Sequence, residues 1–488
     1  MTILKIYQKK KRFKPFYTLQ ATNQQFLLFS TPQHIVFFPK QIRQRSNCYN
    51  LNMPAPDANI ILTDEFKDAL SLLEARPPVM PLIFITGRAG TGKTTLLRYF
   101  ARHTAQNAVV LATTGLAAIN VHGQTVHSFF HLKPGNLLDK SNLKRLPRKT
   151  VDAVDTIIID EASMLRADLL DAIDYILQIS THTEEPFGGK KIVLFGDLFQ
   201  LPPVEESSTG GLFDYFRQIY KSPYFFEAQV LRRLPTEVFE LRRIFRQKAD
   251  PDYANLLNLI REGNVTQPQL DSLLNARKTF ELPENFENSI ILAPTNRDAA
   301  WRNVHYLSLL PGKEFSYEAT ADDSFGKATP ADKTLHLKKG AKIMMLVNDD
   351  NWVNGDIGTV YDLGPDFIQV ELKGCVYQVE PHVWEDVRYE FNALTQKLQP
   401  KVKGFFKQYP LKLAWAITIH KSQGLTFDSI YLDIGRGAFA PGQTYVALSR
   451  CRTLAGVHLK KDIAVKDVLC DSRVKQFFDY MRGNKVLR

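Results

Sequence analysis

Residues 81–94 read PLIFITGRAGTGKT, and the helical-looking stretch TTLLRYFARH (94–103) overlaps their end. The order is an apolar strand, a glycine-rich turn and a helix. Within it, Gly87-Arg-Ala-Gly-Thr-Gly-Lys93-Thr94 matches GxxxxGK[ST] in the strand–turn–helix context that this phosphate-binding loop requires. Gly87, Ala89, Gly90, Thr91 and Gly92 supply backbone N–H groups that can curl around phosphate oxygens at the positive end of a helix dipole. Lys93 is placed for the β and γ phosphates, Thr94 for magnesium, and Thr95 extends the cradle. ATP and Mg2+ are the ligands this loop predicts.

Working outward, AVVLATT (108–114), TIIIDEA (156–162) and KIVLFGD (191–197) read as further buried strands, and ADLLDAIDYILQI (167–179) as a helix. Apolar strands alternating with helices predict a parallel sheet covered on both faces. Strand 156–160 ends in Asp160-Glu161, at the exposed carboxyl edge. Asp160 suits the magnesium shell, and Glu161 is free to orient and deprotonate an attacking water. GDLFQLPP (196–203) places Gln200 to sense the γ-phosphate.

A second set of strands, SIILAPT (289–295), LKLAWAITIH (411–420) and SIYLDIG (429–435), predicts a second α/β unit. Between the sets, KIMMLV, GTVYDL, IQVELKG and VYQVE alternate with the turns NGD and GPD, which suggests short antiparallel strands. The expected fold class is α/β: two domains with parallel sheets, the first carrying the P-loop, and a small inserted β-rich domain. The expected boundaries are 1–56 for a flexible basic extension, 57–232 for the first α/β domain, 233–307 with 412–488 for the second, and 308–411 for the insert. A polar stretch at 132–150 reads as a small wedge-like insertion in the first domain.

The formal net charge is +11, but nine Lys and Arg and no acid lie between Met1 and Pro56, including the KKKRFK run Lys9–Lys14; the remainder carries only +2. Net charge therefore says little about the partners of the body. Cys48, Cys375, Cys451 and Cys470 lie far apart and make no disulfide or zinc pattern, which fits a reducing compartment. No run of about 18 apolar residues predicts a membrane span.

Motor hydrolysis needs cationic groups that arrive as a cleft closes. Arg246, in Ile244-Phe-Arg246-Gln247, and Arg450, in QTYVALSRCR (443–452), are the candidates in the second half; each could equally be a surface arginine.

Taken together and in order, GRAGTGKT, IIIDEAS, GDLFQLPP, LAPTN, IHKSQGLTF and YVALSRCR resemble superfamily 1 helicases of the RecD-like branch. The helix Met164–Ile173 with Asp168 and Asp171, closed by Pro186-Phe-Gly188-Gly189, is similar to the signature of the Pif family (petite integration frequency). The resemblance covers about residues 60–470. It implies two RecA-like P-loop domains with an SH3-like β-rich insert, and a DNA helicase moving 5′→3′ on single strands, with Lys93, Thr94, Asp160, Glu161, Gln200, Arg246 and Arg450 at the nucleotide. Thr114, Gly115, His127, Asn296, His420 and Lys421 are the implied DNA contacts. The implied partners are single-stranded and forked DNA, with G-quadruplex DNA a further candidate, and the implied state is a monomer. Roles in repair, recombination and telomere maintenance follow from the same likeness, as does a cytoplasmic, nuclear or mitochondrial location according to the source. Rival readings are an RNA helicase, a translocase or protein remodeller that does not unwind, a nucleic-acid-binding module, and a RecD-type nuclease subunit. In one respect the chain departs from the family: where a base-reading Gln is expected before the loop, Phe66 stands. Phe129 and Phe130 suit a core better than base stacking, and the acids of the signature helix suit packing.

Overall fold

The computed structural model describes residues 18–21, 24–27 and 62–487 apart from 76–80, 133–136, 204–215, 248–249, 280–288, 323–324, 326–328, 393, 396 and 485–486. The chain separates into residues 1–61 and residues 62–488. In the first unit, β1 (Thr18–Ala21) and β2 (Gln24–Leu27) form an antiparallel hairpin; the Lys9–Lys14 run lies outside the described residues.

The second unit opens with α1 (Asp64–Glu74), capped by Thr63, whose hydroxyl accepts the Phe66 N–H. Strands β3 (Leu82–Gly87), β4 (Ala108–Ala112), β5 (Gln124–Thr125), β6 (Thr156–Asp160), β7 (Lys191–Phe195) and β8 (Thr236–Leu241) pair in the order β5-β4-β6-β7-β3-β8, all parallel. The alternation of side chains along a strand divides the core in two. Ile83, Ile85 and Ile158 face α1 and α2 (Lys93–His103), while Phe84, Ile157 and Ile159 face α4 (Ala167–Thr181); α3 (Gly115–Asn120) follows β4. Phe129 and Phe130 are buried in the second of these cores.

The acids of α4 hold neighbouring chain in place. Asp171 accepts the Tyr220 hydroxyl and the Gln229 and Val230 amides at 2.7–2.9 Å. Asp174 accepts the Phe187 amide at 2.6 Å and pairs with Arg233. The FGG turn is therefore tied back to the helix that precedes it. The 132–150 segment is also anchored here: Leu132, Leu143 and Leu146 are buried, and the Leu146 amide donates to Ser180 at 2.9 Å. Lys144, Arg145 and Arg148 remain exposed.

After β8 the chain runs through α5 (Pro251–Arg261), β9 (Ser289–Ala293) and α6 (Asn296–Leu309) into the β-rich insert. There β10 (Phe315–Glu318) pairs with β12 (Thr334–Leu337). β13 (Lys342–Met345), β14 (Ile357–Leu363), β15 (Ile368–Leu372), β16 (Cys375–Val379) and β19 (Leu411–Leu413) form an antiparallel sheet over a separate core that includes Leu337, Ile343 and Val370. β11 (Thr320–Ala321) edges a long hairpin of β17 (His382–Asn392) and β18 (Lys397–Gln408). This hairpin reaches the first sheet. The Tyr389 hydroxyl accepts the Val110 N–H at 3.1 Å, the Tyr389 amide donates to Gln124 at 3.3 Å, and its ring meets Phe129 edge-on.

The chain then returns through β20 (Ala416–Thr418) to a four-stranded parallel sheet, β20-β9-β21-β22, completed by β21 (Ser429–Leu432) and β22 (Val457–Leu459). The stretch expected as one strand, 411–420, is two. Leu411–Leu413 pairs antiparallel with β13, and three residues later Ala416–Thr418 pairs parallel with β9. Both pieces are apolar, so sequence pattern alone could not separate them. α7 (Gln443–Leu448) and α8 (Ser472–Gly483) follow. α8 packs into the core of the first sheet: Phe478 stacks on Phe199 and Phe477 on Phe226. Among the described residues no helix is long and apolar enough to cross a membrane.

Candidate nucleotide and nucleic-acid site

The phosphate-binding loop joins β3 to α2. Its Gly90 and Gly92 have φ of +83° and +86°, which L side chains rarely adopt. A side chain on Gly90 would collide with Arg246, and one on Gly92 with the ring of Phe66. Lys93 reaches back to the carbonyls of Gly87 and Arg88 at 2.6 and 2.9 Å. Burial pulls its ammonium down to about 8, against the opposing pull of Asp197 and Glu161. Thr94 and Thr95 are exposed on the first turn of α2.

Asp160 ends β6, and its carboxylate accepts the Glu161 amide at 2.9 Å. Burial, then Glu161, raises its carboxyl to about 7; burial raises Glu161 too, with Lys93 and Arg450 opposing. Glu161 sits at φ +54°, a left-handed conformation unusual for a residue with a Cβ. Strain of this kind belongs to functional turns.

The segment just past β8 and α7 beside the second sheet both meet the loop. The Phe245 amide donates to Gly90 O at 2.9 Å, which lays Arg246 along the loop. Arg246 donates to Ser449 O at 3.0 Å. Arg450 is 2% exposed, donates to Val446 O and Ser449 Oγ, and reaches the carbonyls of Ser422 and Leu425 at 3.4 Å. Burial lowers both guanidiniums, Arg246 to about 9. Gln200 accepts a 3.4 Å contact from Gln423. Gly442, at φ +74°, lies so close to the carbonyls of Phe199 and Gln200 that no side chain would fit. Lys93, Asp160, Glu161, Gln200, Arg246 and Arg450 thus surround one cleft.

Three residues of this cleft escaped the sequence reading. Asp197, at the end of β7, is fully buried and bonded to Arg261 of α5 at 2.9 Å. Burial would raise Asp197, but Arg261 and Lys93 outweigh it and hold the carboxyl below its ordinary range. Tyr445 of α7 accepts the Ala89 amide at 2.8 Å and donates to Asp197 at 3.2 Å. Asp197 could have been suspected, since it closes a buried strand beside β6. Nothing local marks Arg261.

The expected nucleic-acid residues lie at carboxyl edges of parallel strands. Thr114 caps α3 just past β4, its hydroxyl accepting the Ala117 N–H at 3.2 Å, and Gly115 opens that helix. Asn296 opens α6 past β9, and His420 and Lys421 follow β20. Asn296 and Lys421 are exposed. His127, on the turn after β5, stands near Arg166 and Asp168; burial lowers its pKa, as it does that of His420. On the β17–β18 hairpin, Lys401 and Lys403 pair with Glu390.

Residues 62–271 match the family model for PIF1-like helicases. The ATP-dependent DNA helicase PIF1 of Mus musculus is 32% identical over 423 residues, 83% of this chain and 61% of the mouse protein. The chain thus spans about three fifths of the length of that relative. The ATP-dependent DNA helicase Pif1 of Bdellovibrio bacteriovorus is 30% identical over 444 residues, covering 88% of this chain and 94% of that one. The crystal structure of Bacteroides Pif1 with ADP-AlF4 superposes with a TM-score of 0.79 at 35% identity, over 88% of this chain and 99% of that one. The same Bacteroides protein bound to single-stranded DNA gives a TM-score of 0.64.

Proposed function

The chain belongs to the PIF1-like helicase family, and from that premise we propose that it is an ATP-driven DNA helicase that moves 5′→3′ along single strands and unwinds duplex or folded DNA. One observation carries the reading: Lys93, Asp160 and Glu161 from the first sheet and Arg246 and Arg450 from the second half converge on one cleft. Such a cleft couples phosphate chemistry to the relative placement of two domains.

Magnesium fits the donors present. A buried carboxylate and a helix-start hydroxyl are hard oxygen ligands, and Mg2+ completes its shell with water and substrate phosphates. Asp160 and Thr94 would hold it, and the bound ion would neutralise charge on the phosphates. Among the described residues no cluster of three or more His, Cys, Asp or Glu offers a protein-only metal cage. The roles of this chain's own residues follow. Lys93 exchanges the Gly87 and Arg88 carbonyls for phosphate oxygens. Glu161 orients the attacking water and takes its proton. Gln200 senses the γ-phosphate, and Arg246 and Arg450 meet the charge that develops on it. Thr114, Gly115, His127, Asn296, His420 and Lys421 line the strand, so that closure of the cleft shifts one grip relative to the other. The 132–150 segment, with its exposed cations, is the wedge at the fork. The working form is a monomer, and G-quadruplexes are among its folded substrates.

Steady-state ATP hydrolysis with and without single-stranded DNA, for wild type and Lys93→Ala, tests the motor. DNA stimulation in the wild type alone supports it; turnover indifferent to DNA refutes it. Strand displacement on duplexes with a 5′ or a 3′ tail tests polarity, and a matching RNA substrate tests the rival reading. DNA-stimulated hydrolysis without displacement would leave a translocase.

A further inference from the structure

The second parallel sheet carries an opening of about 440 Å³ that lies outside both the nucleotide cleft and the strand-edge residues described above. It sits past the carboxyl ends of β9 and β21. From β9 the chain leaves toward β20 on one side, while β21 adds on the other. Connections therefore diverge at this point, and in open α/β sheets such a switch point is where ligands bind.

The walls are chemically specific. Trp301 of α6 lines the opening and is 63% exposed. Its indole lies flat on the imidazole of His305, one helical turn on, with ring centroids 5.1 Å apart and planes within 3°. One face of the indole is thereby held in position. Arg302 and Lys460 both bond Asp433, so that buried carboxylate is matched by two cations. Asp298 takes the Thr295 hydroxyl. Lys461 adds a further positive charge to the lining. A pre-set aromatic platform beside excess positive charge is what a nucleotide unit needs: a base face to stack and a phosphate to pair.

We propose that this cleft is a further contact for single-stranded nucleic acid, with a base stacked on Trp301 and its phosphate against Lys461. The inference rests on the single-strand motor reading above. A strand is favoured over a free nucleotide by position. Pro294 and Asp298, which both line the cleft, lie two residues to either side of Asn296. A strand touching Asn296 therefore runs within reach of the cleft.

Intrinsic fluorescence tests the assignment. Trp352, Trp384 and Trp415 are each at most 7% exposed, so quenching by an added oligonucleotide reports on Trp301. Titration of the full chain with oligothymidylate should quench it, and Trp301→Ala should abolish the signal and weaken binding about five- to a hundredfold by fluorescence anisotropy of a labelled strand. Lys461→Gln should lower the slope of log affinity against log salt by about 0.7. Unchanged thermal melting of both variants checks the fold. Absence of quenching, or equal affinity of Trp301→Ala, overturns the proposal. So does quenching by thymidine monophosphate with none by the oligonucleotide, since the cleft would then take a free nucleotide. DNA-stimulated ATP hydrolysis, measured in parallel, separates the two readings: stimulation without quenching removes the cleft alone, and loss of stimulation in the wild type removes the motor.

Discussion

The hydroxyl of Tyr445 accepts the backbone N–H of Ala89 at 2.8 Å and donates to Asp197 at 3.2 Å. One phenol therefore touches the phosphate-binding loop and the end of the neighbouring strand, although Tyr445 and Ala89 lie 356 residues apart in sequence. The Ala89 amide, expected to face phosphate, is satisfied by this phenol instead. Tyr445→Phe keeps the ring and removes both bonds, so α7 should lose its register against the loop. A net loss of about 1–2 kcal/mol, or roughly five- to thirtyfold in kcat/KM for ATP, is expected. Unchanged kinetics would assign the phenol to packing alone.

Arg261 and Asp197 form an ion pair with side chains 2% and 0% exposed. Removing one partner strands the other charge in a buried site, which costs about 3–5 kcal/mol. Arg261→Ala should therefore lower the urea midpoint sharply, while Arg261→Lys should recover part of the loss. The guanidinium also lies over the Phe199 ring at 4.2 Å, so the lysine variant should fall short of wild type.

Phe66 is buried against Gly92, with Phe245 edge-on to it at 6.3 Å. Neither ring offers a hydrogen bond to a base. Pockets that read hydrogen-bonding groups reject analogues by about 10⁴–10⁵, and apolar ones do not. The kcat/KM values for ATP and GTP should lie within about tenfold of each other. Phe66→Gln should shift the ratio toward ATP. A wild-type preference on the order of a thousandfold or more would mean that another group reads the base.

His420 and Lys421 are neighbours with different electrostatics. Burial lowers the His420 pKa below its ordinary value, so the ring is neutral at pH 7.5. Lys421→Ala should reduce the salt slope of single-strand binding by about 0.7, whereas His420→Ala should weaken binding without changing the slope. As pH falls through the lowered His420 value the ring gains charge, and the wild-type slope should steepen while that of His420→Ala stays flat. Equal slopes for both variants at pH 7.5 would show that Lys421 does not meet a phosphate.

Tyr389→Phe removes the acceptor of the Val110 N–H and leaves that amide without its partner at the hairpin contact. The expected cost is about 1–3 kcal/mol. Hydrogen exchange at Val110 should accelerate, together with exchange in β17. Protection unchanged at both places would mean that the ring contact with Phe129 suffices.

The sequence made the first sheet legible because each strand is a short apolar run ending in a chemically distinctive edge: GRAGTGKT, DE, GDLFQ. Two carboxylates after a buried strand need no tertiary knowledge to be read. Arg261 was invisible for the opposite reason, since it is one cation on an ordinary amphipathic helix 64 residues from its partner. The join at 413–416 was illegible because both strands are apolar and no Gly or Pro lies between them. The acids of α4 were legible as a signature, but their work is architectural: Asp171 and Asp174 accept backbone amides from two separate segments, at Phe187 and at Gln229–Val230. α8 follows the strands of the second sheet in sequence, and only its stacked phenylalanines reveal where it packs.

That placement of α8 has a consequence for how the chain is made. Val474, Phe478 and Met481 complete a core whose other residues begin at Leu82, and Leu487 bridges to Val238 on the edge strand β8. At about 5–20 residues per second, a ribosome that has finished β8 needs roughly ten to fifty seconds more to deliver Phe478. For that interval Phe199 lacks the ring of Phe478 and Phe226 that of Phe477, and the nascent first half presents an apolar face. Chains stalled just after residue 245 should be captured by a hydrophobic-surface dye, and chains released after residue 487 should not.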